Sequence, residues 1–289
     1  MQIDFYHTGY CTHPECMVQR GASLANAQFP AMVARIRHQI DAQHQSTLLF
    51  DTGYAQRFFH ACQKFPEKLY ALTTPVTLSR PSIAEQLGDE RHEIDTVFLS
   101  HLHADHVAGL RDFPNAKILV SKKAYDFSIT KTNMFIGKFA TAQALAQRLR
   151  YVKQGVLTEL LPDDWTDNTQ GRIQFIEDLP PVQLSADFYP FEKGYRISQD
   201  LIAIELAGHA VGHYGLLAGE FFLVADAVWR FASIAENKRA NPLTSFIVHN
   251  QKQTTQSIDQ LQLLHRHNPK LWLIPSHCSQ TLAHLGLQL

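Results

Sequence analysis

Six consecutive residues, His101-Leu102-His103-Ala104-Asp105-His106, carry three imidazoles and one carboxylate. Imidazole nitrogen with carboxylate oxygen and no thiolate suits Zn²⁺, Fe²⁺ or Mn²⁺ at a reactive centre better than a cysteine-rich structural zinc. Two-residue spacing puts His101 and His103 on the same side of extended or turning backbone, where they can hold one ion. Asp105 and His106 follow as the chain turns and can point at a second ion. The alternative reading is a polar strand-to-loop junction that happens to be rich in histidine.

The neighbouring residues say how such a cluster is positioned. Thr96-Val97-Phe98-Leu99-Ser100 reads as a buried strand, and Val107-Ala108-Gly109-Leu110 as a short helix or turn. A ligand cluster at the carboxyl end of a buried strand is held by a rigid element, as an open catalytic centre requires. Strand patterns run over 2–7, 47–51, 95–100, 117–121, 173–177, 201–207, 215–218, 221–225 and 271–275. Helical patterns run over 24–39, 54–63, 82–87, 138–152 and 252–267. This order fits a layered α/β protein. The aromatic residues Phe58, Phe59, Phe127, Phe135 and Phe139 read as core.

The His-rich string resembles the His-x-His-x-Asp-His signature of the metallo-β-lactamase superfamily, and further segments resemble it in the same order. These are Leu48-Leu49-Phe50-Asp51-Thr52-Gly53, Gly208-His209-Ala210-Val211-Gly212-His213, Phe221-Phe222-Leu223-Val224-Ala225-Asp226 and Ile274-Pro275-Ser276-His277. The resemblance spans residues 47–277 and implies an αββα four-layer sandwich. It implies a single domain over 1–289, with a cap-like segment inserted at about 122–198. It also implies two divalent ions, Zn²⁺ first with Fe²⁺ or Mn²⁺ as alternatives. His101, His103 and His209 would hold the first, and Asp105, His106 and His277 the second, with Asp226 shared. A hydroxide bridging the ions would attack the substrate, Asp105 and Asp226 being the residues closest to that chemistry. His213 reads as support for its loop, and Asp51 as an orienter of a ligand histidine.

Asp226 narrows the reaction, because true β-lactamases of the superfamily carry Cys or Ser near that place. His103 and the chain length disfavour a flavodiiron-type protein, although a di-iron oxidoreductase on the same scaffold is the different-class alternative. What remains is a hydrolase of a lactone, with a glyoxalase II-like thioester or a phosphodiester as alternatives. Gly9-Tyr10-Cys11-Thr12-His13-Pro14-Glu15-Cys16 resembles the extended N-terminal loop of quorum-quenching lactonases. One position departs from that branch: Trp229 stands where a tyrosine is common, and an indole N–H donates a hydrogen bond but is no phenolic acid.

Composition sets the remaining expectations. The chain has 289 residues, 45% of them hydrophobic and 18% charged, with a formal net charge of −1. Without a basic run, neither nucleic acid nor an anionic membrane is an expected partner; a small-molecule substrate is, for a monomer or homodimer. The four cysteines, at 11, 16, 62 and 278, are irregularly spaced, and Cys11 and Cys16 lack the second pair that a separate zinc site needs. No basic-then-apolar leader opens the sequence, so a reducing cytoplasm is the expected compartment.

Overall fold

Thirteen strands form two mixed sheets in the computed structural model, which describes residues 1–41, 43–129, 138–241 and 248–287. They are β1 (Gln2–Pro14), β2 (Asn26–Gln39), β3 (Gln45–Phe50), β4 (Val76–Thr77), β5 (Thr96–Phe98), β6 (Lys117–Val120) and β7 (Ile173–Phe175) in the first sheet. The second holds β8 (Pro181–Gln183), β9 (Lys193–Arg196), β10 (Leu201–Glu205), β11 (Tyr214–Ala218), β12 (Phe221–Ala225) and β13 (Trp272–Pro275). The spatial orders are β4-β1-β2-β3-β5-β6-β7 and β13-β12-β11-β10-β9-β8.

Three apolar layers separate four structural ones. Met32, Ile36, Phe50 and Phe98 of the first sheet meet Leu216, Leu223 and Ile274 of the second in the central layer. On the outer face of the first sheet, Val33, Leu49, Val97 and Ile118 pack with Phe58 and Ile83, which stand on the helices Arg57–Ala61 and Ile83–Leu87. On the outer face of the second, Ile204, Phe222 and Val224 pack with Ile258, Leu261 and Leu264 of the helix Gln251–His267. Helix, sheet, sheet, helix is therefore the αββα arrangement. Among the described residues no helix is long and apolar enough to cross a membrane.

One long element differs from the sequence pattern. The helical periodicity over 24–39 gives instead strand β2, paired antiparallel with both β1 and β3. Residues 29 to 36 are buried throughout, so the two-residue alternation that marks a half-exposed strand is absent. Pro30, unsuited to a helix interior, was the contrary signal. Of the segment 122–198, residues 130–137 lie outside the described residues, as do Phe135 and the side chain of Phe139. Its later part supplies β7, β8 and β9 to both sheets, while its helix Lys138–Lys153 neighbours the helix Lys68–Thr73.

Topology delivers the chemistry-bearing residues to one end of the sandwich. Strands β3 and β5 are parallel, and the Asp51 N–H donates to the Phe98 carbonyl at 2.9 Å, so both strands end at the same level. Strands β12 and β13 are also parallel, which brings Asp226 and His277 together. The Tyr214 N–H to Ser100 carbonyl bond, 2.9 Å, ties the sheets at this end.

Candidate metal centre

The structure brings the seven expected ligands together as two groups. His101, His103, His209 and Asp226 form one; Asp105, His106, Asp226 and His277 form the other. Within each, one potential ligand atom per residue lies within 4.8 Å of the rest, and Asp226 belongs to both. Six of the seven are nearly inaccessible to solvent, and His103 is half-buried.

Hydrogen bonds fix which imidazole nitrogen faces inward. Asp51 Oδ2 accepts from His106 Nδ1 and from Ser100 Oγ, both at 2.7 Å, and Ser100 Oγ in turn accepts from His101 Nδ1 at 3.0 Å. His277 Nδ1 donates to the Pro30 carbonyl. With their Nδ1 atoms engaged, His101 and His106 turn Nε2 toward the centre, the nitrogen that a metal ion would take in place of a proton. Neither Nε2 has a hydrogen-bond partner although both are buried, and the same holds for Asp226 Oδ1. His106 Nε2 and Asp226 Oδ1 lie 3.3 Å apart but are not aligned to bond. Orphaned buried polar atoms are costly, and three aimed into one space fit a cation that would satisfy them. His103 Nδ1 and His209 Nε2 face each other at 3.0 Å, close to the ~3.3 Å separation of two nitrogens bound tetrahedrally to one zinc.

Asp226 owes its placement to strained backbone. Ala225 immediately before it has φ 47°, a left-handed value rare for a residue with a Cβ, and Asp51 at the end of β3 has φ 58°. Such residues cost of order 1–3 kcal/mol and persist where the surrounding fold overdetermines them. His213 is no member of either group: its Nδ1 donates to the Leu206 carbonyl at 2.9 Å, and its Nε2 accepts from the Asp226 N–H at 3.3 Å. It holds the backbone of Asp226. Trp229 also serves Asp226, its indole N–H donating to Oδ2 at 3.0 Å while its ring lies 4.5 Å from that of His277.

Charge divides the centre. Burial, aided by His209, pushes His103 down to about 3, and burial with His106 and His103 pushes His101 well below its ordinary value. At His277 burial acts downward too, but the Asp226 and Asp105 carboxylates outweigh it and raise the group to about 10. Burial likewise opposes His106, which Asp105, Asp51 and Asp226 together hold well above its usual range. The second group is thus the more electronegative, with a strong demand for positive charge.

A cavity of about 430 Å³ opens over both groups. Its wall is mainly apolar, including Met17, Val18, Leu69, Val152 and Trp229. Cys11 and His13 of strand β1, with Met17 and Val18 of the helix Glu15–Val18 that follows, bring the N-terminal region into that wall, where strand pairing with β2 replaces the extended loop expected over 9–16. Cys11 and Cys16 are free, and with His13 they form no ligand group among the described residues. Tyr54 and Tyr70 contribute phenols, both pushed well above the ordinary value by burial and then by the Asp105 carboxylate.

One contact was not read from the sequence. The helix Lys138–Lys153 ends at Gly155 (φ +70°), where the Gly155 N–H donates to Val152 and the Val156 N–H to Tyr151. This is a Schellman stop. A Cβ on Gly155 would lie 2.8 Å from His103 Nε2, 2.9 Å from Cγ and closer still to Cδ2. The signal available was the glycine just past a helical pattern.

Comparison with known proteins agrees with this architecture. Residues 40–131, which include the His-rich string, match the metallo-beta-lactamase superfamily. No curated protein matches the chain. Among solved structures, a Bacillus thuringiensis AiiA mutant with N-decanoyl-L-homoserine bound at the active site superposes with a TM-score of 0.64. It is 15% identical, with 99% of this chain and 96% of that one covered. AidC, a dizinc quorum-quenching lactonase in complex with a product, gives 0.58 at 17% identity, covering 96% and 87%. The hydrolase AbOPH gives 0.55 at 16% identity, covering 97% and 88%. The fold is that of these structures, and the matched segment carries the superfamily's similarity over residues 40–131. The buried His/Asp clusters fit a metal site on that fold.

Proposed function

We propose that the chain is a dinuclear hydrolase of a small-molecule ester, with a lactone as the leading substrate class. The observation that carries this reading is Asp226, one carboxylate common to two four-membered ligand groups, with its Oδ1 and two facing imidazole nitrogens unbonded. His101, His103 and His209 would hold the first ion and Asp105, His106 and His277 the second, with Asp226 available to both. Zn²⁺ suits the nitrogen and oxygen donors, and Fe²⁺ or Mn²⁺ fit the same set. Bound there, two such ions would supply Lewis acidity and would acidify water near neutral pH.

The protein's own groups do the rest. Asp105, which lines the cavity 3.1 Å from His277 Nε2, stays ionised because His106 and His277 outweigh its burial, and it is the carboxylate assigned to proton transfer at the centre. The Trp229 N–H is engaged by Asp226, so it orients that carboxylate rather than a substrate oxygen. Tyr54 and Tyr70, neutral at physiological pH, are the phenols of the cavity wall. The apolar wall suits an ester with a hydrocarbon body. AiiA and AidC, bound to acyl-homoserine ligands in their own structures, favour lactones over thioesters and phosphodiesters.

Elemental analysis of the purified chain, paired with a hydrolysis screen over lactones, thioesters and phosphodiesters, tests the reading. Two equivalents of metal and lactone opening that chelation abolishes are expected. Full turnover by metal-free protein would refute a metal hydrolase. Turnover confined to thioesters or phosphodiesters would refute the lactone assignment alone. A coloured iron centre that consumes oxygen would point to the di-iron oxidoreductase.

A further inference from the structure

His103 and His209 are the two ligands of the first group that the sandwich itself does not anchor. His101 is tied through Ser100 to Asp51, but among the described residues no carboxylate or core carbonyl bonds His103, whose inward nitrogen faces His209. What stands behind both is the turn that ends the helix Lys138–Lys153. Gly155 lies against the outer edge of the His103 ring so closely that a Cβ would force the imidazole to move. From the adjacent position, Gln154 Oε1 accepts from His249 Nδ1 at 3.0 Å. The His249 backbone N–H donates to the His209 carbonyl at 2.9 Å, and the Asn250 N–H to the Gly208 carbonyl at 2.8 Å. Gly208 (φ +125°) in turn packs directly on the Thr254 backbone of the helix Gln251–His267.

We propose that the turn 154–155 is a clasp for the first metal subsite. Gly155 sets the depth of His103, and Gln154 steadies His209 through His249, so filling of this subsite depends on the docking of the helix Lys138–Lys153. The second subsite does not share that dependence. Its imidazoles are oriented by Asp51 and by the Pro30 carbonyl, both within the sandwich. Gly155 and Gln154 are positioning residues, acting through the histidines, and a displacement of about 1 Å suffices to disable a ligand set. The proposal rests on the dinuclear reading above.

Gly155→Asn separates this role from that of a helix stop. Asparagine tolerates the left-handed conformation that ends a helix but brings a Cβ toward His103. Gly171→Asn is the control, because Gly171 also has positive φ (+64°) but open space where its Cβ would stand. The full chain, loaded with Co²⁺ or Zn²⁺, is assayed by elemental analysis and by the Co²⁺ ligand-field spectrum. Gly155→Asn is expected to fall from two equivalents to one and to lose the His-rich component of the spectrum, while Gly171→Asn keeps both. Gln154→Ala removes only the link to His249 and is expected to weaken the first equivalent several-fold in a chelator titration without altering the second. If Gly155→Asn does not fold, the Gln154→Ala titration decides. Two equivalents with an unchanged spectrum in Gly155→Asn, or unchanged titration of Gln154→Ala, would overturn the clasp. Wild-type protein that binds no metal would instead remove the dinuclear reading itself.

Discussion

The two halves of the proposed metal centre are built by different means. The second subsite is locked into the sandwich: Asp51 orients His106, the Pro30 carbonyl orients His277, and parallel β12 and β13 set Asp226 beside His277. The first takes one histidine, His101, from the same core network, and two, His103 and His209, from loops backed by neighbouring segments. A ligand held by strand ends has its geometry fixed when the core packs. A ligand held by a loop has it only when the segment behind the loop is in place. One centre can therefore combine a rigid subsite with a conditional one.

Removing the shared residue breaks the comparison outright. Asp226→Ala should empty both subsites and lower turnover by about three orders of magnitude or more, read by elemental analysis alongside hydrolysis rates. Taking one ligand from one side sharpens it. His277→Ala should cost the second equivalent and leave the first, a loss of one metal that the same analysis counts. Asp51→Asn replaces an acceptor of three hydrogen bonds with an amide and leaves His106 free to take the wrong tautomer. Metal affinity at the second subsite should fall by about 10–100-fold, measured by competition with a coloured chelator. Trp229→Phe deletes the donor to Asp226 Oδ2 but keeps the aromatic contact with His277. A loss of about tenfold or less in kcat is expected, with both metals retained, since the carboxylate is still held by its histidine neighbours.

Much of this was legible in the sequence because metal ligation needs particular side chains at fixed spacing. His101 to His106 announced ligands, and the ordered segments ending at His209, Asp226 and His277 implied the remainder. The layered fold followed from the resemblance more than from periodicity. Strand β2 shows why: buried on both faces, its run from Phe29 to Ile36 has lost the alternation that would identify it. The support behind the ligands was less visible. Asp51 could be suspected from its strand end, but the left-handed Ala225 has no signature in its residue type. Gly155 and Gln154 lie some fifty residues from His103 in the chain, and only the folded molecule brings them to its ring.

The most direct test of a bridged centre with unequal halves is stepwise removal of metal from the wild-type chain, followed by native mass spectrometry. Two metals per chain are predicted at the start. As chelator rises, a one-metal species should accumulate, its ion retained by Asp105, His106, Asp226 and His277. A chain that never carries more than one ion, or that sheds two together without a one-metal species, would contradict the account.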